Sequence, residues 1–331
     1  MISADFISIR KGRDNMMNKS HIGWCDFSWN PITGCKKDCD FCYGKKQARR
    51  LCGTVRLNKS NPQIHWNKEQ KIAVLPAPFH TESDSVIQFP AGFSPTFHPY
   101  RLKMIADKQK PANIYVCSMG EMFGAWIPLE WITAVFDACK AAPWHNYMFL
   151  TKNPIRYEEL AQSGILPTGD NFWYGTRISE NTQAFVSEKY HTFICIEPIG
   201  KFAESYEIPK VEWAIIGCDA LLPSKRNMPE SSWLTSLMEQ CGDIPVFIKD
   251  NEAVRTIWKG KLLKQKPILL QRPKDKPIPH CEQCNYCLMI REGKRGNRHI
   301  CRHGKIIRKE QNGRHITGRY ARTSPPWCPK R

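Results

Sequence analysis

No stretch of the chain approaches the roughly 20 consecutive apolar residues that a membrane-spanning helix needs. The first residues, MISADFISIRKGRD, also lack the apolar run of a secretory leader. Both absences point to a cytoplasmic protein without a membrane partner. Internal repeats at solenoid periods are missing as well, which excludes stacked-repeat architectures. Acidic residues are scarce beside basic ones, 31 against 49, so the net charge is +18. With 41% hydrophobic and 24% charged residues, wholesale disorder is excluded and a large α/β domain with a small appendage is within reach. Cysteine is abundant, with 15 residues. In a reducing cytosol these read as metal ligands, reactive groups and small buried apolar residues rather than disulfides.

The charge is uneven. Residues 272–331 carry 16 basic and 4 acidic side chains, and the preceding 271 residues carry 33 and 27. A segment this basic implies a polyanionic partner, most often nucleic acid, against the plainer reading of a solvated tail.

Short apolar or β-branched runs recur along the body of the chain. They are GWCDFSW (23–29), NIYVCSM (113–119), NYMFLTK (146–152), FWYGTRI (172–178), TFICIEP (192–198), EWAIIGC (212–218) and IPVFIKD (244–250). Between them lie helix-like stretches at 129–142, 154–164, 180–189 and 230–242, the last ending on Gly242 as a C-cap. Alternating strand and helix predicts a parallel sheet with right-handed crossovers, either open and doubly wound or closing like a barrel. Residues 53–100, rich in Pro, Asn, His and aromatics, read as an insertion or lid over one face. The Pro- and Lys-rich stretch 264–280 reads as a linker between a domain at 1–263 and a basic module at 281–331.

The segment ITGCKKDCDFCYG (32–44) places Cys35, Cys39 and Cys42 within eight positions. A tetrahedral zinc site would want a fourth ligand, such as Cys52 or His65, and a disulfide would leave one thiol over. This CxxxCxxC spacing after the first strand, with an aromatic before the third Cys, resembles the radical S-adenosylmethionine (SAM) superfamily. The resemblance implies a 4Fe–4S cluster held by these three thiolates, with SAM chelating the open fourth iron and being reductively cleaved to a 5′-deoxyadenosyl radical. It also implies a one-electron donor such as flavodoxin or ferredoxin.

Further motifs narrow the likeness. Met119-Gly120-Glu121 in YVCSMGEMFG looks like the superfamily's Gly-Gly-Glu-type motif for the methionine amino group, with Met in place of the first Gly. In order, WNPITGC, CSMGEMFG, FLTKNP, ICIEPIG, WAIIGC and VFIKDN resemble a phage- and bacteria-associated three-Cys-motif family. That family is related in fold to spore photoproduct lyase. The resemblance implies a partial (β/α) TIM-like barrel of radical SAM type, with cluster and SAM at the C-terminal mouth of the strands. That geometry nominates Glu121, Lys152, Asn153, Thr176, Arg177 and Glu197 as cofactor-binding, with Asp219, Lys249 and Asp250 at the later strand ends. Charged groups there need partners if buried, and a zwitterionic cofactor would supply them. Cys117, Cys195 and Cys218 on strands read as core filler, as do Cys25, Cys52, Cys139 and Cys241.

The C-terminal region holds Cys281, Cys284, Cys287, Cys301 and Cys328. Zinc held by Cys281, Cys284, Cys301 and Cys328 would supply the folding energy so short and polar a segment lacks. CxxCxxC with a fourth Cys could instead hold an auxiliary 4Fe–4S cluster. The expectation is a radical SAM enzyme that modifies or repairs a base or nucleotide in DNA or RNA. An extruded base would stack on Trp66 and Tyr100 of the insertion. The alternatives are a peptide-modifying radical enzyme and a non-catalytic iron–sulfur protein that binds nucleic acid.

Overall fold

The computed structural model describes residues 17–37, 39, 42–218 and 229–271, and beyond them 287–291, 297–302, 306 and 314–316. The chain divides into two compact units, Met1–Lys274 and Asp275–Arg331.

The first unit is a mixed α/β fold built on an eight-stranded, mostly parallel sheet. Its strands are β1 Met17–Lys19, β2 Phe27–Trp29, β3 Asn113–Val116, β4 Asn146–Thr151, β5 Phe172–Ile178, β6 His191–Ile196, β7 Trp213–Ile216 and β8 Val246–Ile248. β1 pairs antiparallel with β2, and β2 to β8 are parallel in strict chain order. All seven apolar runs of the sequence supply these parallel strands. A doubly wound sheet requires the strand order to reverse at a switch point. Here it never does, and right-handed crossovers then put the helices on one side.

That side carries α3 Leu129–Ala141, α4 Ile155–Gln162, α5 Ser231–Cys241 and α6 Glu252–Ile257. Strand residues of one parity face these helices: Ile114, Tyr147, Phe149, Phe172 and Tyr174 in one cluster, Ile194, Ile196, Ala214, Ile216 and Ile248 in another. Residues of the other parity, including Met148, Trp173, Phe193, Cys195, Trp213, Ile215 and Phe247, form a third cluster around Trp24 on the inner face. The alternation follows from the two-residue period of a strand, and burial of both faces explains the near-continuous apolar runs.

The sheet is strongly curved. The Trp24 ring lies 4.7 Å from Tyr115 on β3 and 6.1 Å from Trp213 on β7. In a flat sheet those strands would stand about 19 Å apart, at ~4.8 Å per strand. The hydrogen-bonded ladder remains open, with β1 and β8 as its edges.

Two expectations from sequence are corrected. Residues 180–189 are not helical: the β5–β6 connection is irregular, with a turn at 180–181 and bends from 188. The amide of Phe185 there donates to Thr176 Oγ1 at 3.0 Å, and its ring packs on Tyr157, so side-chain anchoring replaces helical hydrogen bonding. The linker does not begin at 264. Gln265 accepts from the Trp213 indole through its carbonyl, and its side-chain oxygen accepts from Val246 N. The short helix α7, Ile268–Gln271, buries Leu270, while Asn113 and Asn146 donate to the Leu270 and Leu269 carbonyls. This segment closes the N-terminal end of the curved sheet.

The 53–100 insertion has structure of its own. It holds α2, Val55–Lys59, and a four-stranded sheet in which Ile32–Thr33 pairs with Thr96–Phe97, followed by Ile72–Val74 and His65–Asn67. Ile64, Ala73, Leu75, Phe79 and Ala91 form its small core. In the second unit the described residues form a three-stranded antiparallel sheet, Cys287–Arg291, Asn297–Cys301 and Arg314–Ile316. Among the described residues no helix is long and apolar enough to cross a membrane.

Candidate functional site

The cysteine loop is built where β2 ends. Asn30 accepts from Met119 N at 2.8 Å and from the Ser118 hydroxyl at 3.2 Å through its side-chain oxygen. Gly34 and Gly120 then form an isolated parallel bridge, with Gly34 N donating to Met119 O and Glu121 N to Gly34 O. Glycine is required at both positions. Gly34 has φ +84° and a Cβ there would sit 2.2 Å from Ser94 O, while a Cβ on Gly120 would meet Gly34 O and Thr33 at 3.0 Å. Cys35 N donates to Phe93 O, so the insertion grips the loop from its other side. Cys117, at the end of β3, has φ +57°, an uncommon conformation for a non-glycine residue and one that clusters at functional sites.

Cys35, Cys39 and Cys42 are all partly exposed on this loop. Each sulfur accepts one N–H: Cys35 from Lys37 N at 3.2 Å, Cys39 from Lys152 Nζ at 3.4 Å, Cys42 from Lys45 N at 3.3 Å. Cys42 caps α1, Tyr43–Leu51. Burial pushes the Cys35 thiol up to about 11; the Lys37 amide opposes this, and Glu121 and the other two cysteines add to it. Bringing the Cys35 thiol to its ligating form therefore calls for a positively charged group, and its binding releases a proton. Three thiols are the donors this loop offers to such a group. Among the described residues no group of three or more His, Cys, Asp or Glu converges as a metal-holding cluster.

Below the loop, at the C-terminal ends of the strands, the inner face turns from apolar to charged. Lys152 follows β4 and reaches Cys39, while its backbone carbonyl accepts from Lys37 Nζ at 2.9 Å. Glu197, after β6, receives Arg177 Nη2 and Lys249 Nζ on one oxygen, each at 2.5 Å. Arg177 Nε also donates to the Glu197 carbonyl. Burial pushes the Glu197 carboxyl up, but Lys249 and Arg177 together outweigh it and hold the group below its ordinary range. The three side chains keep 16–32% exposure, so they are reachable from the mouth. Cys195 is fully buried on this same inner face.

The other nominated residues are engaged elsewhere. Glu121 is buried and accepts from Thr151 Oγ1 at 2.6 Å, Lys152 N at 3.1 Å and Phe123 N at 3.3 Å. Asn153 donates through its side chain to Phe123 O. Thr176 is fully buried and accepts from Phe185, and Met119 packs on Ala48 and Phe89. Asp250 pairs with Arg255 on the surface, and Asp219 lies outside the described residues. Trp66 packs in the insertion with Lys59 above its ring, and the Tyr100 hydroxyl accepts from Arg101 Nε, so neither stands as a free stacking platform. Cys117, Cys195 and Cys218 are buried thiols, Cys117 and Cys218 pushed up to about 12 by burial. Cys25, Cys139 and Cys241 are buried too, whereas Cys52 is partly exposed at the end of α1.

Of the C-terminal cysteines, Cys281, Cys284 and Cys328 lie outside the described residues. Cys287 and Cys301 are directly opposite one another in the antiparallel register, and Cys301 is buried. Sequence reading missed Lys37, which ties the cysteine loop to β4. Its only signal was a basic residue between two of the cysteines.

Parallel strands in chain order, with a cysteine loop after β2 and a charged inner rim at their C-terminal ends, define a mixed α/β fold with a candidate site at the strand mouth. The family described as "Protein of unknown function (DUF5131)" matches residues 19–325, and the chain belongs to that family. No curated protein matches the sequence. Among solved structures, two of spore photoproduct lyase are similar. One is a double mutant with bound AdoMet and dinucleoside spore photoproduct, the other a complex with dinucleoside spore photoproduct. Each has 10% identity and a TM-score of 0.37, covering 90% of this chain and 75% of that chain.

Proposed function

We propose that the protein is a radical SAM enzyme acting on a nucleobase or nucleotide in DNA or RNA. The observation that carries the reading is that three thiols, each accepting an N–H, stand on one loop that follows β2 and is bonded to the residues after β3 and β4, at the C-terminal end of a parallel sheet in chain order. Parallel α/β folds put their chemistry at that end. Cys35, Cys39 and Cys42 would hold a 4Fe–4S cluster, which supplies the electron for reductive cleavage of SAM when bound. Lys152 holds Cys39 in place by its ammonium. Arg177 and Lys249 are the cations best placed to receive an anionic group at the mouth, with Glu197 orienting both.

The substrate class rests on charge. A net +18 favours a polyanion over a peptide. The C-terminal cysteines are assigned to a structural metal, zinc or a second cluster, that folds the basic segment.

The test is anaerobic reconstitution with iron and sulfide, then assay for 5′-deoxyadenosine under dithionite. The wild-type chain should form it, and a variant with Cys35, Cys39 and Cys42 all replaced by Ala should not. Product formation by that variant would overturn the assignment. Turnover of a peptide but no nucleic acid would keep the radical chemistry and replace the substrate.

A further inference from the structure

We propose that residues 42–68 form a cationic track that binds the phosphate backbone of nucleic acid and leads it to the cysteine loop. The proposal rests on the nucleic-acid reading above and locates a contact surface within the first unit.

The charge distribution is the first observation. Residues 42–68 contain seven Lys or Arg (Lys45, Lys46, Arg49, Arg50, Arg56, Lys59 and Lys68) and no Asp or Glu. The rest of residues 1–271 holds 26 basic and 27 acidic side chains, so the whole positive excess of that stretch lies in these 27 residues. An ordinary solvated surface intersperses both signs. This one does not.

Geometry is the second. Ala48 is fully buried and packs α1 onto Phe89 and Met119, beside the end of β3. At 3.6 residues per turn that packing turns Tyr43, Lys46 and Arg50, spaced i, i+3, i+7, to the opposite side, flanked by Arg49. All four are exposed, Tyr43 by 44%. α2 continues the surface with exposed Arg56, and the Lys59 ammonium sits 4.0 Å from the Trp66 ring centroid. The track starts at the site itself, because Cys42 is the N-cap of α1.

The plainer reading is that Arg49 and Arg50 complement the α1 dipole at its C-terminal turn. That accounts for two residues. It explains neither Lys46 in the helix middle, nor Arg56, nor the missing acids. Backbone phosphates are the ligand this composition fits.

The experiment uses the full-length chain and titrates salt against binding of single-stranded and duplex DNA and RNA oligonucleotides. The variant K46Q/R49Q/R56Q is compared with the wild type and with K140Q/K189Q/K210Q, which removes three exposed charges elsewhere on the first unit. Each lost phosphate contact lowers the slope of log affinity against log salt by about 0.7–0.9, so the track variant should lose about 2–3. The distant variant should keep the wild-type slope. The charge-preserving K46R/R49K/R56K should also keep it, and its thermal unfolding guards against a folding defect. A steep wild-type slope that the track variant shares would overturn the track while leaving the nucleic-acid reading in place. No salt-dependent binding by the wild type would overturn both. Displacement by polyglutamate as effective as by an oligonucleotide would overturn the track in favour of an acidic protein partner.

Discussion

Glu197 and Glu121 are both strand-end carboxylates, and their surroundings divide their roles. Glu197 is held ionised by Arg177 and Lys249 against the cost of burial. Its folded value lies below the ordinary 4.5, so its stabilisation is full above about pH 4.5 and is lost as pH falls through the lowered folded value. Replacing Glu197 by Gln leaves two partly buried cations facing each other. The expected loss is about 3–5 kcal/mol near pH 7, measured by urea unfolding. The gap between variant and wild type should narrow below about pH 4.5; a gap undiminished at about pH 3 would remove the charge argument. Glu121 instead accepts three hydrogen bonds from its own chain. Glu121→Gln presents an amide donor to at least one of those donors and should cost about 1–3 kcal/mol without any ligand added. Unchanged stability with weaker SAM binding would return Glu121 to the cofactor role the sequence pattern implies.

At the scale of elements, the junction of β2 with the cysteine loop depends on two glycines meeting backbone to backbone. Gly34→Ala forces a Cβ against Ser94 O at 2.2 Å on top of a positive φ. Gly164 also has positive φ, +72°, but nothing lies within 4 Å of its Cβ position. Gly164→Ala should therefore cost only the left-handed backbone penalty, about 1–2 kcal/mol. Gly34→Ala should cost clearly more, and should lower iron incorporation after reconstitution because the loop shifts. Equal costs for the two, with equal iron content, would show that the close approach does not hold the loop. The irregular β5–β6 connection belongs to this scale too. Its ENTQAFVSEK pattern looks amphipathic, yet Phe185 gains more by packing on Tyr157 and Tyr190 than the segment gains from a marginal ten-residue helix.

For the whole molecule, the boundary between units is a matter of what closes the curved sheet. Gln265, Leu269 and Leu270 complete hydrogen bonds and burial at the N-terminal ends of the strands. A chain ending after Lys274 should melt cooperatively. One ending at residue 263 should not, because Trp213, Asn113 and Asn146 lose their carbonyl acceptors and the inner cluster opens to water. Comparable melting of the two truncations by calorimetry would restore the linker reading of 264–271. Removing the segment after Lys274 takes away most of the positive charge, so salt-dependent nucleic-acid binding should weaken but persist through residues 42–68.

The seven strands were legible in the sequence because burial on both faces leaves an almost uninterrupted apolar run, whatever its neighbours turn out to be. The three-cysteine loop was legible because its spacing is local. Charged residues at strand ends could be nominated the same way, but not sorted. Which of them share the inner rim depends on strand parity and curvature: Arg177, Glu197 and Lys249 come together, while Thr176, one residue from Arg177, faces the helices. The strand order, which separates a singly wound curved sheet from a doubly wound one, is likewise a long-range pairing that no window of sequence contains. Tertiary structure also decided the fate of Glu121 and of residues 264–271, since a buried polar group or a short apolar helix takes its role from the partners that folding brings to it.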